Sequence, residues 1–239
     1  MKHIFRFRGV YNNNEWTICE SEFRHIKKII KLGDGQRIEI FDGQGSWASG
    51  LYRTENGCPS LEVIEHTSCK STGRNLGIAV GALKPGFIDD VVPCLVELGV
   101  TSINVIAQEG VAKSRMSEKA IGRWDRIMWE SMKQSKRLWV PEISCYSSMD
   151  EFCAEWGQQI GWDKFYSEPG EKVSLQASPI KSSGVIAVVG AELGLSDRDI
   201  QNLSNSGFEG FSLGKGVLRS FTACIAVSSI LASRILWAE

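Results

Sequence analysis

The chain has 239 residues, 43% of them hydrophobic, and a net charge of only −1 from 27 Lys and Arg against 28 Asp and Glu. That is enough to bury one large core or two small ones. No apolar run reaches the roughly 20 residues a membrane helix needs, and Met1 to Arg8 lacks the apolar core of a secretion signal, so a cytoplasmic protein is expected.

The near-neutral total hides segregated charge. Residues 1–31 carry seven basic and three acidic side chains, a net of +4, and residues 113–137 carry eight and three, a net of +5. Acids collect in 138–175 instead, where seven meet only Lys164 and Lys172. Two basic segments suit a phosphate backbone, although each taken singly also reads as a solvated face. Arg6, Arg8, His25, Lys31, Lys133 and Arg137 are the candidate RNA-contacting residues.

Strand signals dominate the first 70 residues. Arg37–Phe41 alternates, Asp42-Gly43-Gln44-Gly45 is a turn, Ser46–Tyr52 can return as the partner strand, and Leu61–Glu65 reads as another strand. The polar stretch 69–75 marks the boundary, which predicts domains at 1–70 and 71–239. Beyond it strands and helices alternate, as in a mainly parallel sheet. Leu76–Val80 is a strand, followed by a helix through Leu98 that holds Pro93 at a cost of roughly 3 kcal/mol. Ser102–Ile106 is the next strand. In a helix around Trp124 to Ser135, Trp124, Ile127, Met128 and Ser131 share one face. Lys84, before Pro85 and Gly86, fits a solvated turn or a phosphate contact.

Val185–Val189 is short, β-branched and apolar throughout, as a strand covered on both faces should be. It empties into Gly190-Ala191-Glu192-Leu193-Gly194-Leu195-Ser196. After a short helix-like segment comes a second glycine loop, Ser212-Leu213-Gly214-Lys215-Gly216-Val217-Leu218-Arg219-Ser220. Glycines at the carboxyl end of a buried strand let the backbone approach a ligand. A final apolar helix around Thr222–Leu236 should pack on the sheet or on a second subunit. The three histidines are far apart, and seven scattered cysteines show no zinc-type pair, so reduced, mostly buried thiols and no metal are expected.

Together with Ala82-Leu83-Lys84-Pro85-Gly86, Glu97-Leu98-Gly99-Val100, Gln134-Ser135-Lys136-Arg137 and Pro141, these loops make the chain similar to the SPOUT-class 16S ribosomal RNA uracil N3-methyltransferases, the RsmE family. The likeness runs in order over nearly all of the chain. It implies an α/β fold: a small PUA-like, RNA-binding β-barrel, then a SPOUT methyltransferase domain with a C-terminal trefoil knot, usually working as a homodimer. It also implies S-adenosylmethionine as cofactor, held largely by backbone around Gly190, Glu192, Gly194, Leu213, Gly214 and Leu218. The substrate it implies is a uridine in ribosomal RNA or the small ribosomal subunit. Arg219 matches the family's arginine after the last knot loop. It can stabilise the anion that develops at uracil N3, or serve as a plain phosphate contact. Gln134 and Arg137 match a Gln-Ser-x-Arg pattern that braces the knot or dimer.

The chain departs from the family pattern at several positions, and Gly190-Ala191-Glu192-Leu193-Gly194-Leu195 stands where Gly-Pro-Glu-Gly-Gly-Phe is usual. Phe221 stands where an acid is usual, and Gly216, Phe87 and Cys94 stand where arginine or lysine is usual. A catalytically inactive or retargeted RNA-binding paralogue is therefore the alternative. An ordinary dinucleotide enzyme fits poorly, since Gly81–Gly86 has neither the Gly-x-Gly-x-x-Gly nor the Walker spacing.

Overall fold

A computed structural model describes residues 4–13, 15–55, 57–81, 86–107 and 116–237. His3, Lys84, Lys113 and Arg115, which entered the sequence reading, lie outside them. The chain forms two compact units, residues 1–72 with 129–140 and residues 73–128 with 141–239. A single cut near residue 70 therefore misses the later segment that joins the first unit.

In the first unit β1 (Phe5–Asn12) pairs antiparallel with β2 (Glu15–Ile18). A short helix, α1 (Glu20–Arg24), runs on into a π-helical turn over His25–Ile30. Then follow β3 (Arg37–Phe41), β4 (Ser46–Glu55) and β5 (Cys58–Ser68), the last two longer than their sequence pattern suggests. The sheet order is β2-β1-β3-β4-β5, with β1 parallel to β3. His66 on β5 meets Tyr11 and Trp16 at ring-centroid distances of 4.5 and 5.9 Å, which brings the two edges together into a nearly closed, PUA-like barrel. Phe7, Ile18, Ile26, Ile38, Ile40, Ala48 and Tyr52 fill it.

The β3–β4 turn shows why residues 129–140 belong here. Asp42 Oδ1 accepts from the amides of Gln44 at 2.7 Å and Ser46 at 2.9 Å. Gly43, at φ +74°, leaves its Cβ position 2.4 Å from the Trp129 ring, and Gly45 does the same for Trp139. Any side chain at either position would displace an indole. Leu138 and Val140 complete the junction by backbone bonds to Gly45 and Gly43.

The second unit is built on six parallel strands in the order β11-β9-β10-β6-β7-β8. These are β6 (Asn75–Gly81), β7 (Ser102–Ile106), β8 (Glu142–Tyr146), β9 (Trp162–Ser167), β10 (Gly184–Val189) and β11 (Glu209–Phe211). The helices are α2 (Phe87–Leu98), α3 (Glu118–Ser135), α4 (Met149–Trp156), α5 (Asp197–Asn205) and α6 (Ser220–Ile235), α3 ending in the first unit. Pro93 is accommodated inside α2, where Ile88, Val91, Val92, Leu95 and Val96 are buried and offset its lost hydrogen bond. α6 packs on β6, β10 and α2 through Ala223, Cys224, Val227, Leu231 and Ile235. The seven thiols are all free, but only Cys153 and Cys224 are fully buried, which corrects the expectation of mostly buried cysteines.

Candidate functional site

From β6 the chain builds outward through β7 and β8, whereas β9, β10 and β11 lie on the other side, so strand order reverses between β6 and β10. In open parallel sheets, ligands bind beyond the carboxyl ends of the strands at such a reversal. The loops after β10 and β11 leave from this same end. Because β9 lies between these strands, the two loops depart about 10 Å apart.

The first loop is a tight turn. Gly194 donates its amide to Ala191 O at 2.9 Å and adopts φ +80°. A Cβ on Gly190 would stand 2.7 Å from the carbonyl carbon of Gly194, so only glycine permits this closure. Glu192 and Leu193 form the corner, and Leu193 is 92% exposed. Ser196 then caps α5 in a reciprocal capping box with Asp199.

The second loop is anchored at its start by Ser212, whose amide donates to Val173 O at 2.9 Å. Gly214 follows at φ +128°, and the residues from Gly214 to Arg219 are exposed. Among the described residues, the amides of Leu213 to Leu218 have no hydrogen-bond partner. Arg219 is the N-cap of α6, with no side-chain cap for the helix amides, and its guanidinium has no ion-pair partner among the described residues. Gly190, Glu192 and Gly194 thus share one turn, and Leu213, Gly214, Leu218 and Arg219 share the other.

The six proposed RNA residues divide sharply. Arg6 has a side chain only 7% exposed, lies 4.3 Å over the Phe41 ring, donates to Met132 O at 3.2 Å and faces Glu39 at 3.8 Å. Burial pulls its pKa down, opposed by the Glu39 charge. Arg8 stacks over Trp129 at 4.0 Å. Lys133 pairs with Glu22 at 2.7 Å and Glu130 at 2.8 Å. Arg137 is half-buried, which lowers its pKa as well. Arg6, Arg8 and Lys133 are structural cations of the first unit, because their charges are spent on rings, carbonyls and carboxylates within it. His25 and Lys31 are exposed, on the π-helical turn and at its left-handed end, beside exposed Arg24 and Lys28. The π-helical turn gives no periodic signal, so sequence reading missed Arg24 and Lys28 as partners of this face.

Of the departures from the family pattern, Phe221 is 39% exposed one residue past the buried Ser220, and Gly216 is exposed in the second loop. Phe87 and Cys94 are half-buried on α2. Among the described residues no helix is long and apolar enough to cross a membrane.

A family model described as an RNA methyltransferase domain matches residues 70–232. A ribosomal RNA small subunit methyltransferase E of Aquifex aeolicus is 34% identical over 234 residues, covering 96% of this chain and 98% of its own. The crystal structure of the Neisseria gonorrhoeae ribosomal RNA small subunit methyltransferase E, bound to S-adenosyl methionine, superposes with a TM-score of 0.83 at 21% identity, over 97% of this chain and 98% of that one. A Legionella pneumophila structure solved in complex with the cofactor SAM gives 0.85 at 20%, with the same coverage.

Proposed function

The chain belongs to the RNA methyltransferase domain family and, within it, to the ribosomal RNA small subunit methyltransferase E family, and from that membership we propose that it methylates N3 of a uridine in 16S ribosomal RNA with S-adenosylmethionine. The observation that carries this reading is the pairing of two glycine turns at the strand-order reversal, the second ending in the exposed Arg219. The amides of Leu213 to Leu218, unengaged among the described residues, and the side-chain-free surface of the tight Gly190–Gly194 turn suit a nucleoside held by backbone. When bound, S-adenosylmethionine supplies a methyl group already activated on a sulfonium sulfur.

The chain's own residues then have two tasks. The 190–194 and 213–218 backbones orient the donor so that its methyl faces the incoming base. Arg219, with the positive end of α6 behind it, stabilises the negative charge that builds on the uracil ring as its N3 proton passes to solvent water at the exposed loop. Exposed Val217, Leu218 and Phe221 offer the base an apolar wall beside that charge. RNA is gripped through the exposed Arg24, His25, Lys28 and Lys31 of the first unit. A trefoil-knotted C-terminal part, a homodimeric working unit and a cytoplasmic location complete the reading.

Calorimetry with S-adenosylmethionine, followed by transfer of its labelled methyl group to small-subunit RNA and base analysis of the product, tests this reading. Micromolar binding and label at uridine N3 are expected. Binding without transfer to any ribosomal RNA would refute the activity while leaving the cofactor site standing.

A further inference from the structure

The residues that follow β9 run alongside β11 and prolong its ladder. Glu168 N donates to Phe211 O at 2.9 Å, Ser212 N to Val173 O at 2.9 Å, and Leu175 N to Ser212 O at 3.3 Å. Segment 168–178 thus holds the residue from which the second glycine loop departs. The segment has little regular structure of its own. It turns back at Ser174, whose carbonyl accepts from Ala177 N, Ser178 N and Ser178 Oγ at 3.0, 3.1 and 3.2 Å.

What locks that turn is a side chain from far along the chain. Arg234, in the last turn of α6, donates from Nη1 to Leu175 O at 2.7 Å and from Nη2 to Ser178 O at 2.7 Å. Leu175 is fully buried and Ser178 is 3% exposed, so both carbonyls sit where water competes poorly. Two short bonds from one planar group fix the spacing of these carbonyls in a way that a single point charge cannot.

α6 thereby fastens the second loop at both ends. Its first turn begins at Ser220, directly after Arg219, and its last turn holds Ser212 through Arg234 and the 174–178 turn. We infer that Arg234 is a positioning residue for cofactor binding, setting the course of loop 212–219 through Leu175 and Ser178 without touching the ligand. This rests on the cofactor reading of that loop.

The test compares the wild-type protein with Arg234→Lys and Arg234→Gln. Amide hydrogen exchange is read without cofactor, and calorimetry gives affinities for S-adenosylmethionine and for small-subunit RNA. In both variants, exchange at the bonded amides of Leu175, Ala177, Ser178 and Ser212 should quicken at least tenfold while β6 and β10 keep their protection. The cofactor Kd should rise by about tenfold, as when the binding-competent course of the loop falls to about a tenth of the population, with RNA affinity unchanged. Lysine should not rescue either readout. A cofactor Kd equal to that of the wild type in both variants overturns the proposal, as does loosening spread evenly over the sheet with cofactor and RNA affinity falling together. Failure of the wild type itself to bind cofactor, with 173–178 still protected, overturns the cofactor reading and the positioning role with it.

Discussion

Lys133 Nζ lies 2.7 Å from Glu22 Oε1, and the two side chains are only 15% and 8% exposed. One is on the helix that ends in the first unit and the other on the short helix after β2, so the pair ties the late segment of the chain to the barrel. Removing one partner leaves a poorly hydrated charge. Lys133→Met should therefore destabilise by about 3 kcal/mol in urea titration, whereas Lys133→Met with Glu22→Leu should restore most of the loss. Equal destabilisation by the single and double variants would show that the pair matters only through packing.

RNA binding should separate the buried cations from the exposed ones. Lys28→Glu should weaken affinity for small-subunit RNA and lower the slope of log K against log salt by about one, since one phosphate contact is lost. Lys31→Gly should do the same while raising stability by up to about 1 kcal/mol, because Lys31 occupies the left-handed region at φ 54°. Unchanged slopes in both would move the RNA footprint elsewhere.

Arg219→Ala should lower methyl transfer by about a hundredfold or more, with the cofactor Kd changed less than threefold, as when one preorganised charge-stabilising donor is lost. Parallel loss of turnover and cofactor affinity would make Arg219 a loop anchor instead.

Thiol chemistry should report burial directly. At pH 8, Cys58 and Cys69, both exposed, should alkylate first. Cys224 should react only in denaturant, because desolvation pushes its thiol up to about 12 and keeps it protonated. Mass spectrometry of peptides after timed labelling gives the order.

The strands buried on both faces were legible because composition alone announces them: Leu76–Val80 and Val185–Val189 are nearly continuous apolar runs. β9 was not, since Asp163, Lys164 and Ser167 break the pattern and only Phe165 and Tyr166 are buried. β8 and α4 were hidden in the same acid-rich stretch. The two glycine loops could be found from sequence because a closed turn demands glycine at Gly190 and Gly194. Which cations face solvent could not. Arg6 bonds a carbonyl 126 positions away, and nothing local distinguishes it from an exposed arginine. Arg234 was invisible for the same reason, being one basic residue in an apolar helix whose partners lie 59 and 56 positions earlier.

The seating of Trp129 and Trp139 on Gly43 and Gly45 has a consequence for synthesis. A nascent chain that has released only its first 72 residues lacks the indoles that cover the β3–β4 turn, and Phe41 lacks the Trp129 ring set 5.5 Å from its own. The β3–β4 end of the barrel stays uncovered until translation has passed Val140, by which time β6 and β7 have also been made. Maturation of the amino-terminal unit is thus timed by the ribosome's progress through the second one.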